Sequence, residues 1–369
     1  METEIYSNRE TIKGLKMDAQ LKELRVSNDA KNDPEELRRR IDKEGYLFFK
    51  QLLNLNNLLE LRKQILTTLQ EGGWLIAGTD PMDGIADVTQ KCTEGDRKYT
   101  DVYHKVQKLE ALHRSGHWPE TLDMIEKIMD RPTMPFPHQV VRLWFPKYTE
   151  YTTPIHQDFV HFQGHFENLT VWAPIGDCPI ELGGLAVIPG SHKIGKVLDH
   201  HFALGAGGLN IHVEEEATRH PEITSGWYTT NYEMGDTLIF PALTIHKALP
   251  NVTEDQLRAS LDNRYNPVGQ PIAEHMLLPH LDNSGELTWE QIYEDWQFDD
   301  LKYFWRNYDN PLVPHNTDFY AKGFKDAVDQ ARAGAAFAIQ RLKTIVKNDP
   351  DTPNGVIAKG VLKDIGGLD

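Results

Sequence analysis

Two histidines and an aspartate in this chain are spaced so that one cation could take all three. His156-Gln157-Asp158 closes the extended run YTTPIHQD, and residues two apart in a strand point to the same face. His156 and Asp158 can then grip one ion together if a third ligand arrives from a neighbouring strand. His246, in GDTLIFPALTIHKALPN, fits that demand. Two imidazoles and one carboxylate on one face leave three positions open, the arrangement used by non-haem Fe(II) oxygenases. His-x-Asp by itself is common, and a histidine beside a solvated aspartate is the plainer reading of it. Arg258, twelve residues after His246, adds weight. A dicarboxylic cosubstrate that chelates a metal with one end needs a planar bidentate cation at the other, which is arginine rather than lysine. Arg264 lies on the same strand face and competes for that role, and either could be an ordinary strand-edge arginine.

Other histidines offer rival sites. His113 and His117 in HRSGH are four apart on an expected helix but lack the glutamate of a zinc protease, so they read as core or surface residues. His161 and His165, in HFQGH just after the aspartate, could line a substrate entrance. His192 in PGSH reads as structural, and His200, His201 and the run Glu214–Glu216 read as solvated. GAGGLN at 205–210 lacks the strand-to-helix setting of a phosphate loop and reads as a turn.

These residues need strands to position them. From Pro135 to Pro267 the chain runs in short β-rich stretches separated by turn residues: HQVVRLWFP, LTVWAPIGD, GGLAVIPGS, SGWYTTNYE, DTLIFPALTIHKALP and LRASLDNRYNP. That spacing predicts a sandwich or barrel, hence a mainly β fold with flanking helices. Helices are expected at 34–44, 55–72, about 101–116 and 119–130, a buried strand at 46–53, and a long loop at 75–100. LTWEQIYEDW, LKYFWRN and one long helix at about 318–346 follow. The organisation expected is a polar N-terminal segment, 1–33, and a main domain, 34–270, with a helical lead-in at 34–132 and a β core at 133–270. A C-terminal helical extension, 271–369, packs on that core.

A formal charge of −16 argues against nucleic acid and against anionic membrane surfaces, and no apolar run suggests a signal peptide or a membrane span. Two cysteines, Cys92 and Cys178, rule out a disulfide framework. A cytoplasmic protein acting on a small molecule is the expectation, with the long C-terminal helix as a brace or a homodimer contact.

The stretch from His156 to Arg258 resembles the phytanoyl-CoA dioxygenase family of Fe(II)- and 2-oxoglutarate-dependent oxygenases. The matching pieces are HQD (156–158), LTVWAPIGD, GGLAVIPGSH (183–192), GDTLIFPALTIH (235–246) and RAS (258–260). Weaker similarity runs upstream and downstream, over about three-quarters of the chain. The resemblance implies a double-stranded β-helix (jelly-roll, cupin-like) core. It also implies metal-ligand roles for His156, Asp158 and His246, and cosubstrate contacts from Arg258, with Gln157 and Trp172 as helpers. The cofactors implied are Fe(II), 2-oxoglutarate and O2. The family often has a hydroxyl residue two after the second histidine, where this chain has Ala248, so one cosubstrate hydrogen bond is in question. Halogenating relatives lack the carboxylate ligand, so Asp158 favours hydroxylation. Two alternatives stay open: a cupin-like metalloenzyme that does not use 2-oxoglutarate, and a non-catalytic barrel that binds a ligand. The substrate is not legible. The absence of a basic patch argues against CoA, and Trp74, Trp144, Phe159 and Phe162 suggest an apolar or amphipathic metabolite, or simply a packed core.

Overall fold

The computed structural model describes residues 21–282 and 285–367. Most of the polar segment expected at 1–33 lies outside them. Its described part is tied down rather than loose. Lys22–Glu23 pairs in parallel with Tyr228–Thr229, and the Asp29 carboxylate accepts two 2.6 Å hydrogen bonds from the buried Arg40.

The lead-in helices follow their sequence signals. Pro34–Glu44 is capped by Asp33, whose carboxylate accepts from the Glu36 amide, and it stops at Gly45 with φ +73°. A Cβ there would strike the His192 ring at 2.3 Å, so the glycine supplies both the left-handed turn and room for a neighbour. Leu55–Glu71 is capped by Asn54. The helix expected at about 101–116 breaks at Lys108-Leu109 into Arg97–Gln107 and Glu110–Ser115, and Pro119–Met129 follows.

Two sheets carry the centre. The larger runs Leu47–Phe49, Thr237–Pro241, Leu169–Pro174, Arg258–Pro267 and Thr133–Pro135, with Val141–Trp144 also pairing to Arg258–Pro267. The smaller runs Lys22–Glu23, Tyr228–Thr229, Leu185–Val187 and His246–Ala248. Alternation divides the larger sheet's side chains between its faces. Leu169, Val171, Ile239 and Tyr265 pack on Leu37, Ile41, Met124 and Ile125 of the helices. Trp172, Leu238 and Phe240 pack on Leu185, Val187 and Ala248 of the smaller sheet. Covered on both sides, Leu169–Pro174 is buried along its whole length, which explains its nearly continuous apolar sequence.

Helices make up 41% of the described chain, so the fold is mixed rather than mainly β. The strands are shorter than their sequence runs. The long C-terminal helix is also different from expectation. It breaks at Gly334 into Asp318–Arg332 and Ala336–Asn348, and a further helix, Pro353–Asp364, folds back on them. Ala327, Val328, Ala331, Ala338, Leu342, Ala358 and Leu362 form a small core of their own around Phe202 of the hairpin at 201–210. No helix among the described residues is long and apolar enough to cross a membrane.

Candidate metal centre

The segment bearing His156 and Asp158 is not the strand its sequence suggests. His156 makes a two-way backbone bridge with His246, the amides donating over 3.0 and 3.1 Å. Asp158 already has helical dihedrals (φ −58°, ψ −28°) and opens the one-turn helix Phe159–Phe162. The side chains converge because the chain turns into that helix, not because two strand residues share a face. His246 is delivered at the first position of its strand, after the turn at Ala242–Thr244.

The ligand atoms of His156, Asp158 and His246 all lie within 4.8 Å of one another, and all three residues are buried. Among the described residues this is the only such cluster of histidine, cysteine and carboxylate groups. The tautomers are set by the backbone. His156 Nδ1 lies 2.8 Å from the Pro154 carbonyl and His246 Nδ1 3.0 Å from that of Thr244. A carbonyl only accepts, so both Nδ1 atoms carry the proton and both Nε2 lone pairs are free. Those atoms stand 3.3 and 3.5 Å from Asp158 Oδ1, itself buried without a hydrogen-bond partner. In these tautomers three electron-rich atoms face one another, an arrangement that a metal cation would satisfy.

The other carboxylate oxygen is held from behind. Asp158 Oδ2 accepts from the Thr170 hydroxyl and, at 2.9 Å, from Arg264 Nη2. Burial alone would raise the Asp158 pKa, but the Arg264 guanidinium beside it holds it well below the usual carboxylate range. Burial lowers the His156 pKa, and His246 beside it lowers it further, so that imidazole is neutral near pH 7. The donor set matches what a divalent ion with nitrogen and oxygen ligands takes.

The strand Arg258–Pro267 accounts for the rest. Arg258, Ser260, Asp262 and Arg264 alternate along one face of it, all buried. Arg264 is paired with two carboxylates: besides Asp158 it meets Asp262 at 2.8 Å, and its guanidinium lies 3.8 Å from the centre of the Phe162 ring. Asp262 passes the network to Arg142 at 3.4 Å, and Arg142 to Glu94 at 2.6 Å. Arg258 donates only to the Gly183 carbonyl (3.0 Å) and Ser260 Oγ (2.7 Å); among the described residues it has no carboxylate partner. Burial draws its pKa down to about 10, which leaves it charged. Trp144, its cross-strand partner, has a buried indole N–H with nothing to donate to. Trp172 stands on the same side, its ring 6.0 Å from the guanidinium and its N–H on Ser260 Oγ at 3.1 Å.

Gln157 points elsewhere, since it alternates with the ligand residues. Its amide donates to the carbonyls of Lys196 and Leu243 and accepts from the Leu198 amide, so it braces two loops and does not face a cosubstrate. His200, expected to be solvated, is 3% exposed and accepts from the Gln157 backbone amide at 3.2 Å. Glu216 is buried as well. His113 and His117 sit among Trp289, Trp296 and Phe304 as core residues, and His192 Nε2 bonds the Asp42 carbonyl. Sequence reading missed Thr170 and the service of Arg264 to Asp158. The available signal was polar residues recurring at every second position of strands that pack in the interior.

The family model for phytanoyl-CoA dioxygenase matches residues 41–260. The 1-deoxypentalenic acid 11-beta-hydroxylase of Streptomyces exfoliatus is 27% identical over 259 residues, covering 67% of this chain and 86% of that protein. Its counterpart from Streptomyces arenae is 26% identical over 268 residues, with the same coverage. Among solved structures, EctD from S. alaskensis superposes with a TM-score of 0.44 at 19% identity, covering 69% of this chain and 84% of that one. The epimerase SnoN, solved with Fe3+, alpha ketoglutarate and nogalamycin RO, gives 0.43 at 20% identity, covering 64% and 84%. The family match takes in His156, Asp158, His246 and Arg258, and this chain belongs to the phytanoyl-CoA dioxygenase family of oxygenases.

Proposed function

We propose that the chain is an Fe(II)- and 2-oxoglutarate-dependent dioxygenase that hydroxylates an unactivated C–H bond of a small-molecule metabolite, with release of succinate and CO2. The observation that carries this reading is the convergence of two free Nε2 lone pairs on an unpartnered, buried carboxylate oxygen. His156, Asp158 and His246 would hold the iron, whose bound form supplies O2 activation coupled to decarboxylation of the keto acid. The protein's own part is to position and to shield. Thr170 and Arg264 fix Asp158 Oδ2, so that Oδ1 alone is offered to the metal. Arg258 is a fully buried guanidinium with no carboxylate among the described residues, and a buried unpaired charge is costly, so we assign it the far carboxylate of 2-oxoglutarate. The vacant Trp144 N–H beside it and Ser260 add hydrogen bonds that Ala248 cannot supply. Trp172 walls this pocket, and Gln157 positions the ligand segment from behind.

We read residues 34–270 as the dioxygenase domain and its two packed sheets as a double-stranded β-helix, with the C-terminal helices docked on it. A homodimer through those helices would have the exposed Phe337, Val356 and Ile357 to build on. A metalloenzyme that does without 2-oxoglutarate would leave Arg258 bare, and a non-catalytic barrel would leave the buried lone pairs unexplained.

The test is succinate release by the Fe(II)-loaded full-length chain. It should require both O2 and 2-oxoglutarate, and 1-deoxypentalenic acid, the acid named for the two relatives, is the first compound to offer for coupling. Asp158→Ala should bring release to background. Succinate production by that variant at the wild-type rate sinks the assignment.

A further inference from the structure

The family match ends at residue 260, yet a segment far beyond it grips the ligand-bearing turn at three points. Asn316 and Gln163 exchange two hydrogen bonds of 2.8 Å. Lys322 donates to the His200 carbonyl at 2.9 Å, and His200 in turn accepts from the Gln157 amide. The Tyr320 hydroxyl meets His161 Nδ1 at 2.9 Å.

The last contact faces the metal centre. His161 lies one helical turn after Asp158, its amide donating to the Asp158 carbonyl, and its ring is 5.3 Å from that of His156. The other two ligands are backed by strands: Thr170 and Arg264 stand behind Asp158, and the Phe240 ring is 4.5 Å from His246. Beside His156 the cover is His161, with Tyr320 on it. The hairpin at 201–210 closes the far side of His161. A Cβ on Gly207, at φ +81°, would lie 2.8 Å from His161 Cε1 and 2.9 Å from Nε2, so no side chain fits there. Tyr320 is 37% exposed, which puts its hydroxyl on the site's histidine and part of its ring in solvent.

Resting on the metal reading of the triad, we propose that Tyr320 and His161 roof the substrate side of the centre, so that the C-terminal helices complete the site and govern what enters it. Tyr320 acts through His161 and is a positioning residue. It is supplied by a helix whose docking depends on the small core around Phe202, so entry to the site is coupled to a part of the chain outside the family's matched stretch.

The experiment uses the full-length chain loaded with Zn(II), which accepts imidazole and carboxylate ligands without redox chemistry, and follows transfer of the metal to excess EDTA. An opened roof admits the chelator, so Tyr320→Ala should release Zn(II) at least ~5-fold faster than wild type with an unchanged melting curve. Tyr320→Phe keeps the ring against His161 but loses the hydroxyl contact with its Nδ1, and should release Zn(II) at a rate between those of wild type and the alanine variant. Should the alanine variant unfold, Tyr320→Leu, shorter but compatible with the helix, carries the same expectation. Release at the wild-type rate from a folded alanine or leucine variant overturns the proposal. A wild-type chain that takes up no Zn(II) overturns the metal reading itself, a separate and recognisable result.

Discussion

The two ends of the strand Arg258–Pro267 present the same residue type in the same setting with opposite outcomes. Arg258 and Arg264 are each 2% exposed, on one face of one strand. Arg264 has two carboxylates, Asp158 at 2.9 Å and Asp262 at 2.8 Å. Arg258 has a carbonyl and a hydroxyl. A guanidinium that has given up water needs an anion in return; one has it within the fold and the other does not. The first arginine belongs to the network that orients Asp158, and the second is the one to which the proposed function gives an anion.

Substitution at each end separates the two roles. Arg258→Met removes a buried charge that has no internal carboxylate, so the fold should keep or gain stability while affinity for 2-oxoglutarate falls about 100-fold, the loss expected for a charge-assisted bidentate contact of roughly 3 kcal/mol. Calorimetric titration of 2-oxoglutarate into the Zn(II)-loaded protein, with a melting curve, reads both quantities. Unchanged affinity would return Arg258 to the scaffold. Arg264→Met should do the reverse. It leaves the buried Asp158 without its guanidinium and Asp262 with Arg142 alone, and should cost about 3–5 kcal/mol of stability. Metal affinity should fall roughly 10- to 100-fold, as for loss of a group that orients a ligand. Denaturant unfolding and metal titration check it, and a variant as stable as wild type would show that the network contributes nothing net.

A smaller effect reports how dry this interior is. Burial holds His113 and His117 down to about pKa 4, against 6.5 in the unfolded chain. Between those values the unfolded state binds more protons, so stability is full above pH 6.5 and is lost as the pH falls toward 4. Each histidine contributes up to about 1.4 kcal/mol per pH unit in that window. Unfolding free energies of the metal-free protein should therefore drop from pH 7 to pH 5, and His113→Gln should flatten the slope by about one proton. An unchanged slope in that variant would mean that His113 titrates normally.

That His156, Asp158 and His246 would come together was legible from residue type and spacing, because metal coordination demands particular donor atoms wherever the chain puts them. The lead-in helices were legible too, since Asp33, Asn54 and Gly45 act within one turn of where they stand. The long C-terminal helix was misread because the break at Gly334 makes sense only once Ala331, Ala338 and Ala358 are seen to share a core. Gln157 was misassigned because its partners, near 196 and 243, are remote in sequence.

By itself, then, the sequence determined which side chains could hold a cation and an anion, and that short strands would carry them, since donor chemistry and backbone propensity are local properties. Only the tertiary structure decided which arginine is left without a carboxylate, which oxygen of Asp158 is free, and that Tyr320 reaches His161. Those outcomes depend on which distant atoms fill the space around a buried group.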